Sequence, residues 1–178
     1  MLESQWLSNI CSIFSMNNVR AAQLIADCKI ELNGIRGIIN QTNPFDVIIP
    51  FLTNYAIIKA CGTVEQSFKT IIADFCQTNQ NPQVQNYIQN TFRESSQNPS
   101  YENICRRLAA FDTNWKDSFK RRIKNKANTF KLKTSLKALN EARNTFAHGN
   151  MTSVSFTSVF GYFEDSVVII ETLDRVVT

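Results

Sequence analysis

Apolar residues recur at helical spacing along this chain, which has few residues that interrupt a helix. It contains five glycines and four prolines among 178 residues. Stretches such as VRAAQLIADCKIELNGIRGII place apolar side chains three or four positions apart rather than at alternate positions. With 43% apolar residues, the chain is long enough for one sizeable core and short for two full domains. The sequence therefore predicts an all-α helical bundle, with residues 1–178 forming a single domain.

The same periodicity predicts the order of the helices. A first long helix ends near Asn40, and a second covers Phe45 to Gln77 with Pro50 in its first turns. The segments VQNYIQNTFRESSQ, SYENICRRLAAF and DTNWKDSFKRRI are shorter, and a serine and an aspartate can cap the last two. Leu132 to His148 forms the next strong helix, closed by Gly149. A final amphipathic helix packs through Val159, Phe163, Val167, Ile170 and Leu173.

The cysteines and the hydropathy pattern indicate the cellular compartment in which the protein is found. Five scattered cysteines without a CxxC pair fit neither a disulfide framework nor a zinc site, so we expect reduced, mostly buried thiols and no metal or other cofactor. No apolar stretch approaches the roughly 18 residues that span a bilayer, and no basic region precedes an apolar run at the N-terminus. These features predict a cytoplasmic protein with no membrane partner.

Positive charge is concentrated in one segment. FKRRIKNKANTFKLKTSLK, from Phe119 to Lys137, has no acidic residue and carries eight lysines and arginines. A cluster this dense attracts polyanions and releases counterions from phosphate backbones, which makes nucleic acid the natural partner. The alternative interpretation is a solvated loop between lysine-rich helix faces.

The stretch EARNTFAHGN contains the only histidine of the chain. Asn144 and His148 share one helix face, whereas Arg143 is displaced by about 140° from His148, so a swinging arginine or a second copy of the helix would be needed to complete a site. An imidazole can exchange a proton and a guanidinium can hold a phosphate, which are the parts needed for metal-independent RNA cleavage. In the alternative interpretation, His148 only interacts with the helix end and Arg143 pairs with Glu141 or another carboxylate.

The stretch RNTFAHG, from Arg143 to Gly149, resembles the R-N-x-x-x-H signature of the HEPN superfamily. The preceding WKDSFKRRIKNKANTFKLKTSLKALNEARN is most similar to its RiboL-PSP and MAE_28990-type branches. This resemblance implies a helical bundle that forms a homodimer with both motifs in one cleft, often as a metal-independent RNase of toxin–antitoxin, phage-defence or RNA-processing systems. It also implies that Arg143 and His148 form the catalytic pair, with Asn144 as a polar neighbour and with Phe146 and Ala147 as packing residues.

One departure concerns regulation. Some HEPN toxins carry a modified tyrosine two places after the histidine, and Asn150 occupies that place here, so we do not expect adenylylation there. Any antitoxin or sensor would be a separate protein.

Three functional hypotheses follow. The first is a homodimeric endoribonuclease that leaves a 2′,3′-cyclic phosphate and gathers RNA through Arg121, Arg122, Lys131, Lys133 and Lys137. The second is a noncatalytic nucleic-acid or nucleotide-binding module. The third is a protein-interaction bundle whose basic segment is only a solvated surface.

Overall fold

The computed structural model describes residues 16–177, which form seven α-helices and no strand. The all-α prediction is confirmed. The helices are α1 (Val19–Gln41), α2 (Ile48–Gln77), α3 (Pro82–Ile88), α4 (Tyr101–Phe111), α5 (Thr113–Lys124), α6 (Thr129–Ala147) and α7 (Phe156–Asp174), and a π-helical turn (Gln89–Arg93) follows α3. The predictions made for Cys11 and the N-terminal segment lie outside the described residues.

The helix boundaries follow the predicted ones to within a few residues. Helix α2 begins three residues later than predicted, because the Asp46 carboxylate accepts the Ile48 backbone N–H at 2.9 Å and forms a turn first. Pro50 is the third residue of α2, where its missing N–H would have no helical partner. Helix α6 begins three residues earlier than predicted, at Thr129. The expected caps are present: the Ser100 hydroxyl and the Asp112 carboxylate accept backbone N–H groups.

The long helices form the centre of the bundle. Helices α1 and α2 form an antiparallel hairpin, and α2 packs on α7, which in turn packs on α6. The five apolar residues predicted to pack α7 are all buried. Helices α3 to α5 cover another side of the bundle. There the Phe92 ring packs edge-on against the rings of Phe68 and Phe111, with centroid distances of 5.8 and 5.1 Å. Helix α6 is therefore held between α2 and α7 with one face left to solvent.

A buried carboxylate joins the beginning of α1 to the end of α7. Asp174 is 1% exposed, and it accepts the backbone N–H groups of Asn17 and Asn18, the second at 3.0 Å. The Asn18 amide donates to Asp74 near the end of α2 at 3.1 Å. Three helix termini thus meet through one polar cluster, which fixes α2 parallel to α7.

The four cysteines of the described region agree with the expectation of reduced thiols. All four are free, and Cys28, Cys61 and Cys105 are buried. Burial raises the pKa of the Cys28 thiol to about 11, so it stays protonated and unreactive near neutral pH.

Residues 16–177 contain neither a membrane-spanning helix nor a cluster of metal-binding side chains. No helix there is long and apolar enough to cross a membrane. No group of three or more histidine, cysteine or acidic side chains there is arranged to hold a metal ion.

Candidate active site

The end of α6 presents His148 to solvent. The helix closes with two nested bonds, from the Gly149 N–H to the Phe146 carbonyl at 2.9 Å and from the Asn150 N–H to the Thr145 carbonyl at 3.1 Å. This C-terminal cap needs a left-handed residue, and Gly149 supplies it with φ of 78°. The His148 N–H still bonds to the Asn144 carbonyl at 3.0 Å. The backbone at the histidine is thus fixed while its imidazole remains exposed.

Arg143 is held against α2, on a different side of α6 from His148. Its Nη2 lies 3.7 Å from Oε2 of Glu65, and its Nη1 donates to Oδ1 of Asn144 at 3.2 Å. The side chain is 28% exposed. Helical side chains lean toward the helix N-terminus, which lets Arg143 reach back along α6. The structure brings the side chains of Arg143 and Asn144 together. Within residues 16–177, neither of them forms a hydrogen bond with the His148 imidazole.

Glu65 is the functional candidate that the sequence did not reveal. Its carboxylate is 13% exposed and accepts the Gln97 backbone N–H at 2.7 Å and Lys69 Nζ at 3.4 Å, besides facing Arg143. Lys69 is 3% exposed, and it also donates to the Ser95 carbonyl at 3.0 Å. A buried charge is stable only with such partners. Glu65 and Lys69, four residues apart in an otherwise uncharged part of α2, were the signal available in the sequence.

Glu141, the nearest acidic candidate in the sequence, does not contact the motif arginine. It forms an exposed pair with Lys137 at 3.6 Å on the outer face of α6. The partner of Arg143 is a carboxylate of another helix, Glu65.

A buried contact sets the register of α6 on α2 just before the motif. The Asn140 amide donates to the Leu136 carbonyl at 2.9 Å and its Oδ1 accepts from Cys61 Sγ at 3.4 Å. Burial raises the pKa of the Cys61 thiol, and nearby Arg143 opposes that rise. Cys61 is therefore a packing group here and not a nucleophile.

The basic segment is divided between two helices. Lys133 and Lys137 lie on the solvent face of α6 that leads to His148. Lys137 follows Lys133 by four positions and His148 follows Lys137 by eleven, and at about 100° per residue these separations rotate a side chain by only about 40° and about 20° around the helix axis. Lys133 Nζ lies 3.9 Å above the Tyr101 ring. Lys131 is on another side, where it pairs with Asp165 of α7 at 3.1 Å.

The remaining two predicted RNA-binding residues lie on α5. Arg121 is exposed and donates to the Ser118 hydroxyl at 3.3 Å, and Arg122 lines a separate cleft at the end of the helix. The structure thus brings together Lys133 and Lys137 near the motif face, and it does not bring the other three cations to that face.

An apolar stripe lies on α2 beside the motif. Ile48, Phe51, Tyr55 and Ile58 follow a spacing of three and four residues and are all exposed, Phe51 by 69% and Tyr55 by 49%. On one side, Glu65 and Cys61 of α2 contact α6, and on the other, Tyr55 and Lys59 bind Glu31 of α1. The stripe therefore faces outward between α1 and the motif helix.

The motif end of α6 extends this apolar surface. Phe146 is 38% exposed and Met151, just past the helix, is 84% exposed. Phe146 and Ala147, which the resemblance implied to be packing residues, are not buried within the single chain. The Thr152 hydroxyl donates to Asn54 of α2 at 2.8 Å, which places this loop at the level of the stripe.

An all-α bundle in which a late helix ends in R-N-x-x-x-H is the arrangement that characterises HEPN domains. A family model described as RiboL-PSP-HEPN matches residues 19–178, which include all seven helices. The chain belongs to the RiboL-PSP-HEPN family, and the first of the two branches suggested by the sequence is thereby confirmed. No curated protein and no solved structure is significantly similar to the chain.

Proposed function

We propose that this HEPN protein is a metal-independent endoribonuclease whose catalytic residues are Arg143 and His148. The observation that carries the proposal is the end of α6, where a guanidinium held by Glu65 and an exposed imidazole belong to the family motif. The helix cap at Gly149 fixes the backbone that carries both residues, and defined positions of the reacting groups are what proximity catalysis requires.

The chemistry follows from the properties of these groups. His148 removes the proton of a ribose 2′-hydroxyl, whose oxygen attacks the adjacent phosphorus. Arg143 stabilises the charge that builds on the phosphoryl oxygens, and Asn144 hydrogen-bonds the phosphate or orients the histidine. The bond to the 5′-oxygen breaks, and a histidine in the acid form protonates that oxygen. The products are a 2′,3′-cyclic phosphate and a 5′-hydroxyl end.

We further propose that two copies assemble one composite cleft. Within one chain Arg143 points toward α2 while His148 faces solvent, so a second α6 is needed to bring an arginine and a histidine to one phosphate. The apolar stripe on α2, with Phe146 and Met151, supplies an uncovered surface next to the motif. Exposed apolar patches of this kind favour self-association, and a two-fold axis through the stripe would place both motifs side by side.

The first test is cleavage of a fluorescent RNA oligonucleotide in EDTA by the wild type, Arg143→Ala and His148→Ala. We expect cleavage by the wild type only, with a cyclic phosphate on the 5′ product and losses of at least about 100-fold in the variants. Thr145→Ala, at an exposed position between the two residues, is the matched control and should cleave normally. Cutting that requires Mg²⁺, or that persists in His148→Ala, contradicts the proposal.

A toxin or defence role is proposed on the same basis. A nuclease in such a role has to stay inactive until it is needed, and we propose a separate antitoxin or sensor protein as the restraint. Induced expression of the wild type should arrest growth of a bacterial host, whereas His148→Ala should not. Equal growth with both proteins would argue against a toxin.

The second candidate is a noncatalytic RNA-binding module. Its support is the pairing of Arg143 with Glu65, which neutralises part of the positive charge that a phosphate would meet in the single chain. In this case the wild type and His148→Ala would bind RNA equally, in a salt-dependent way, and neither would cut it.

A further inference from the structure

A basic cleft lies at the opposite end of α6 from the motif. It has a volume of about 280 Å³ and is formed where the end of α5 meets the end of α7. Its lining residues are Arg122, Asn125, Lys126, Thr172 and Arg175. Three of these five side chains are cationic, and none of the five is apolar.

The three cations have no anionic partner among the described residues. Arg122, Lys126 and Arg175 form no ion pair within residues 16–177, although Glu171 precedes Arg175 by one helical turn. The neighbouring Asp174 is already bound to the backbone of residues 17 and 18. Like charges gathered without a counter-charge repel one another, so an anion in the cleft would lower the energy of the arrangement.

The backbone around the cleft is fixed. The Thr129 hydroxyl lies 2.7 and 2.8 Å from the carbonyl oxygens of Ile123 and Lys126, between which its one proton is shared, and this closes the turn after α5. Thr172 is 3% exposed, and its hydroxyl donates to the Val168 carbonyl at 2.7 Å. The cations thus project from a preorganised rim, which reduces the entropy cost of binding.

Some of the cations near the cleft are explained by their favourable interaction with the end of a helix, but this does not explain why three of them face the same cleft. Cations stabilise the negative end of a helix dipole, and Arg121 and Lys124 already do so in the last turn of α5 without lining the cleft. The additional feature is that Arg122, Lys126 and Arg175, from two separate segments, face one volume.

We infer that this cleft binds a backbone phosphate of the RNA substrate, at a point remote from the cleaved bond. The inference rests on the proposed function, since it assumes that RNA is the ligand. Guanidinium and ammonium groups are the usual phosphate ligands of proteins. The absence of an aromatic or apolar lining residue leaves nothing to hold a base, so the cleft recognises the phosphate alone, without sequence preference.

The position of the cleft sets the length of RNA that can use it. Helix α6 has 19 residues and separates the cleft from His148 by about 28 Å at 1.5 Å per residue. A stacked strand advances about 3.4 Å per nucleotide, so roughly eight nucleotides span that distance. A tetranucleotide cannot occupy both places, and a 20-nucleotide RNA can.

The experiment measures binding of fluorescent 4- and 20-nucleotide RNAs, in a His148→Ala background that prevents cutting. The cleft variant combines Arg122→Gln, Lys126→Gln and Arg175→Gln. The control variant removes three charges outside the cleft, through Lys29→Gln, Lys120→Gln and Lys124→Gln. Circular dichroism melts verify that both variants are folded.

We expect the cleft variant to lose about tenfold in affinity for the 20-mer, with a salt dependence shallower by about one phosphate contact, and to bind the 4-mer nearly as the parent does. The control variant should lose much less. Equal losses in the two variants overturn the inference. Saturation of the cleft by AMP or inorganic phosphate, without any effect of the cleft variant on the 20-mer, overturns the assignment to RNA.

These outcomes are separate from failure of the proposed function. A wild type that never cuts RNA but shows the length-dependent loss supports the cleft and rejects the nuclease. A wild type that cuts RNA without that loss supports the nuclease and rejects the cleft.

Discussion

Arg143 and His148 belong to one helix end, yet their side chains have different surroundings. The arginine is half-buried and tied to Glu65, whereas the histidine is exposed beyond the last turn. In the proposed site the arginine serves as a fixed positive charge and the histidine as an accessible proton carrier. The first role requires a rigid neighbour, and Glu65 is in turn bound by Lys69 and by the backbone of residue 97.

Glu65→Gln should reduce cleavage and also lower the melting temperature, because the buried Lys69 ammonium loses its carboxylate partner and keeps only the Ser95 carbonyl. The amide keeps the size of the carboxylate but loses its charge, so the Arg143 guanidinium is no longer held by an ion pair. Since a misplacement of about 1 Å can cost 100-fold in rate, we expect a fall of about 10- to 100-fold in kcat with a smaller change in KM. Single-turnover cleavage assays measure the effect.

Gln66→Glu is the matched control for this experiment, because Gln66 is the exposed neighbour of Glu65. It should leave kcat within about twofold, because a charge on the solvent-exposed side of α2 is screened by water and salt. Full activity of Glu65→Gln would show that Arg143 is positioned by other contacts.

The motif itself could be read from the sequence at the residue scale, but its partner could not. R-N-x-x-x-H is a contiguous pattern, and Gly149 directly after it predicts the end of the helix. Glu65 lies in another helix, and only the packing of α6 on α2 brings it to Arg143. Sequence proximity favoured Glu141, which faces outward and pairs with Lys137 instead.

At the scale of the element, α6 depends on how it ends. A Cβ at residue 149 would meet no atom within 4 Å, so the requirement for glycine there is conformational and not steric crowding. The left-handed φ of 78° is costly for residues with a side chain, and asparagine tolerates it better than most.

Gly149→Ala should therefore destabilise the protein by about 1 kcal/mol, and Gly149→Asn by less. For a chain of this size, the alanine variant should melt about 2 to 4 °C lower, which differential scanning calorimetry can measure. Equal melting temperatures for the two variants would contradict this explanation of the cap.

The face of α6 that leads to His148 should bind RNA more strongly than its opposite side. Lys133→Gln with Lys137→Gln removes two cations from that face, where Lys137 has only an exposed pair with Glu141 at 3.6 Å. Lys131→Gln removes one cation, which is paired at 3.1 Å with the largely buried Asp165 carboxylate. We expect the double variant to weaken RNA binding several-fold and to lower its salt dependence, with a small effect of Lys131→Gln. Filter binding at several salt concentrations separates the two cases.

The predicted helices were accurate at this scale because each one buries an apolar side, and the spacing of that side is visible in the sequence. The distribution of the basic segment was not visible. The eight cations form one run in the sequence, but in the structure they lie on different sides of the bundle. The turn between α5 and α6 separates them into two groups, and the rotation of α6 about its own axis directs its lysines to different faces.

For the whole molecule, the proposed dimer predicts complementation between inactive chains. In a mixed dimer of Arg143→Ala and His148→Ala, an intact arginine and an intact histidine come from different subunits. If the pair acts across the two-fold axis, an equal mixture, with about half of its dimers mixed, regains cleavage that neither variant shows alone. No recovery in verified mixed dimers would place the pair within one subunit.

The proposed interface can be tested independently of chemistry. Phe51→Asp places a charge in the centre of the apolar stripe, at a side chain that is mostly exposed in the single chain. We expect light scattering to show a dimer for the wild type and a monomer for this variant, with an unchanged helical circular dichroism spectrum. A monomeric wild type, or a dimeric Phe51→Asp, would locate the contact elsewhere or remove it.

The cluster at Asp174 also determines when the protein can become complete during synthesis. It accepts the N–H of Asn17, a residue that leaves the ribosome long before Asp174 is made, since 157 positions separate them. A contact of such long range forms late, and α7 must be available to fill the space between α2 and α6. A nascent chain that has not reached residue 174 therefore lacks a finished bundle, because the carboxylate that ties α1 to α7 and, through Asn18, to α2 has not yet been made.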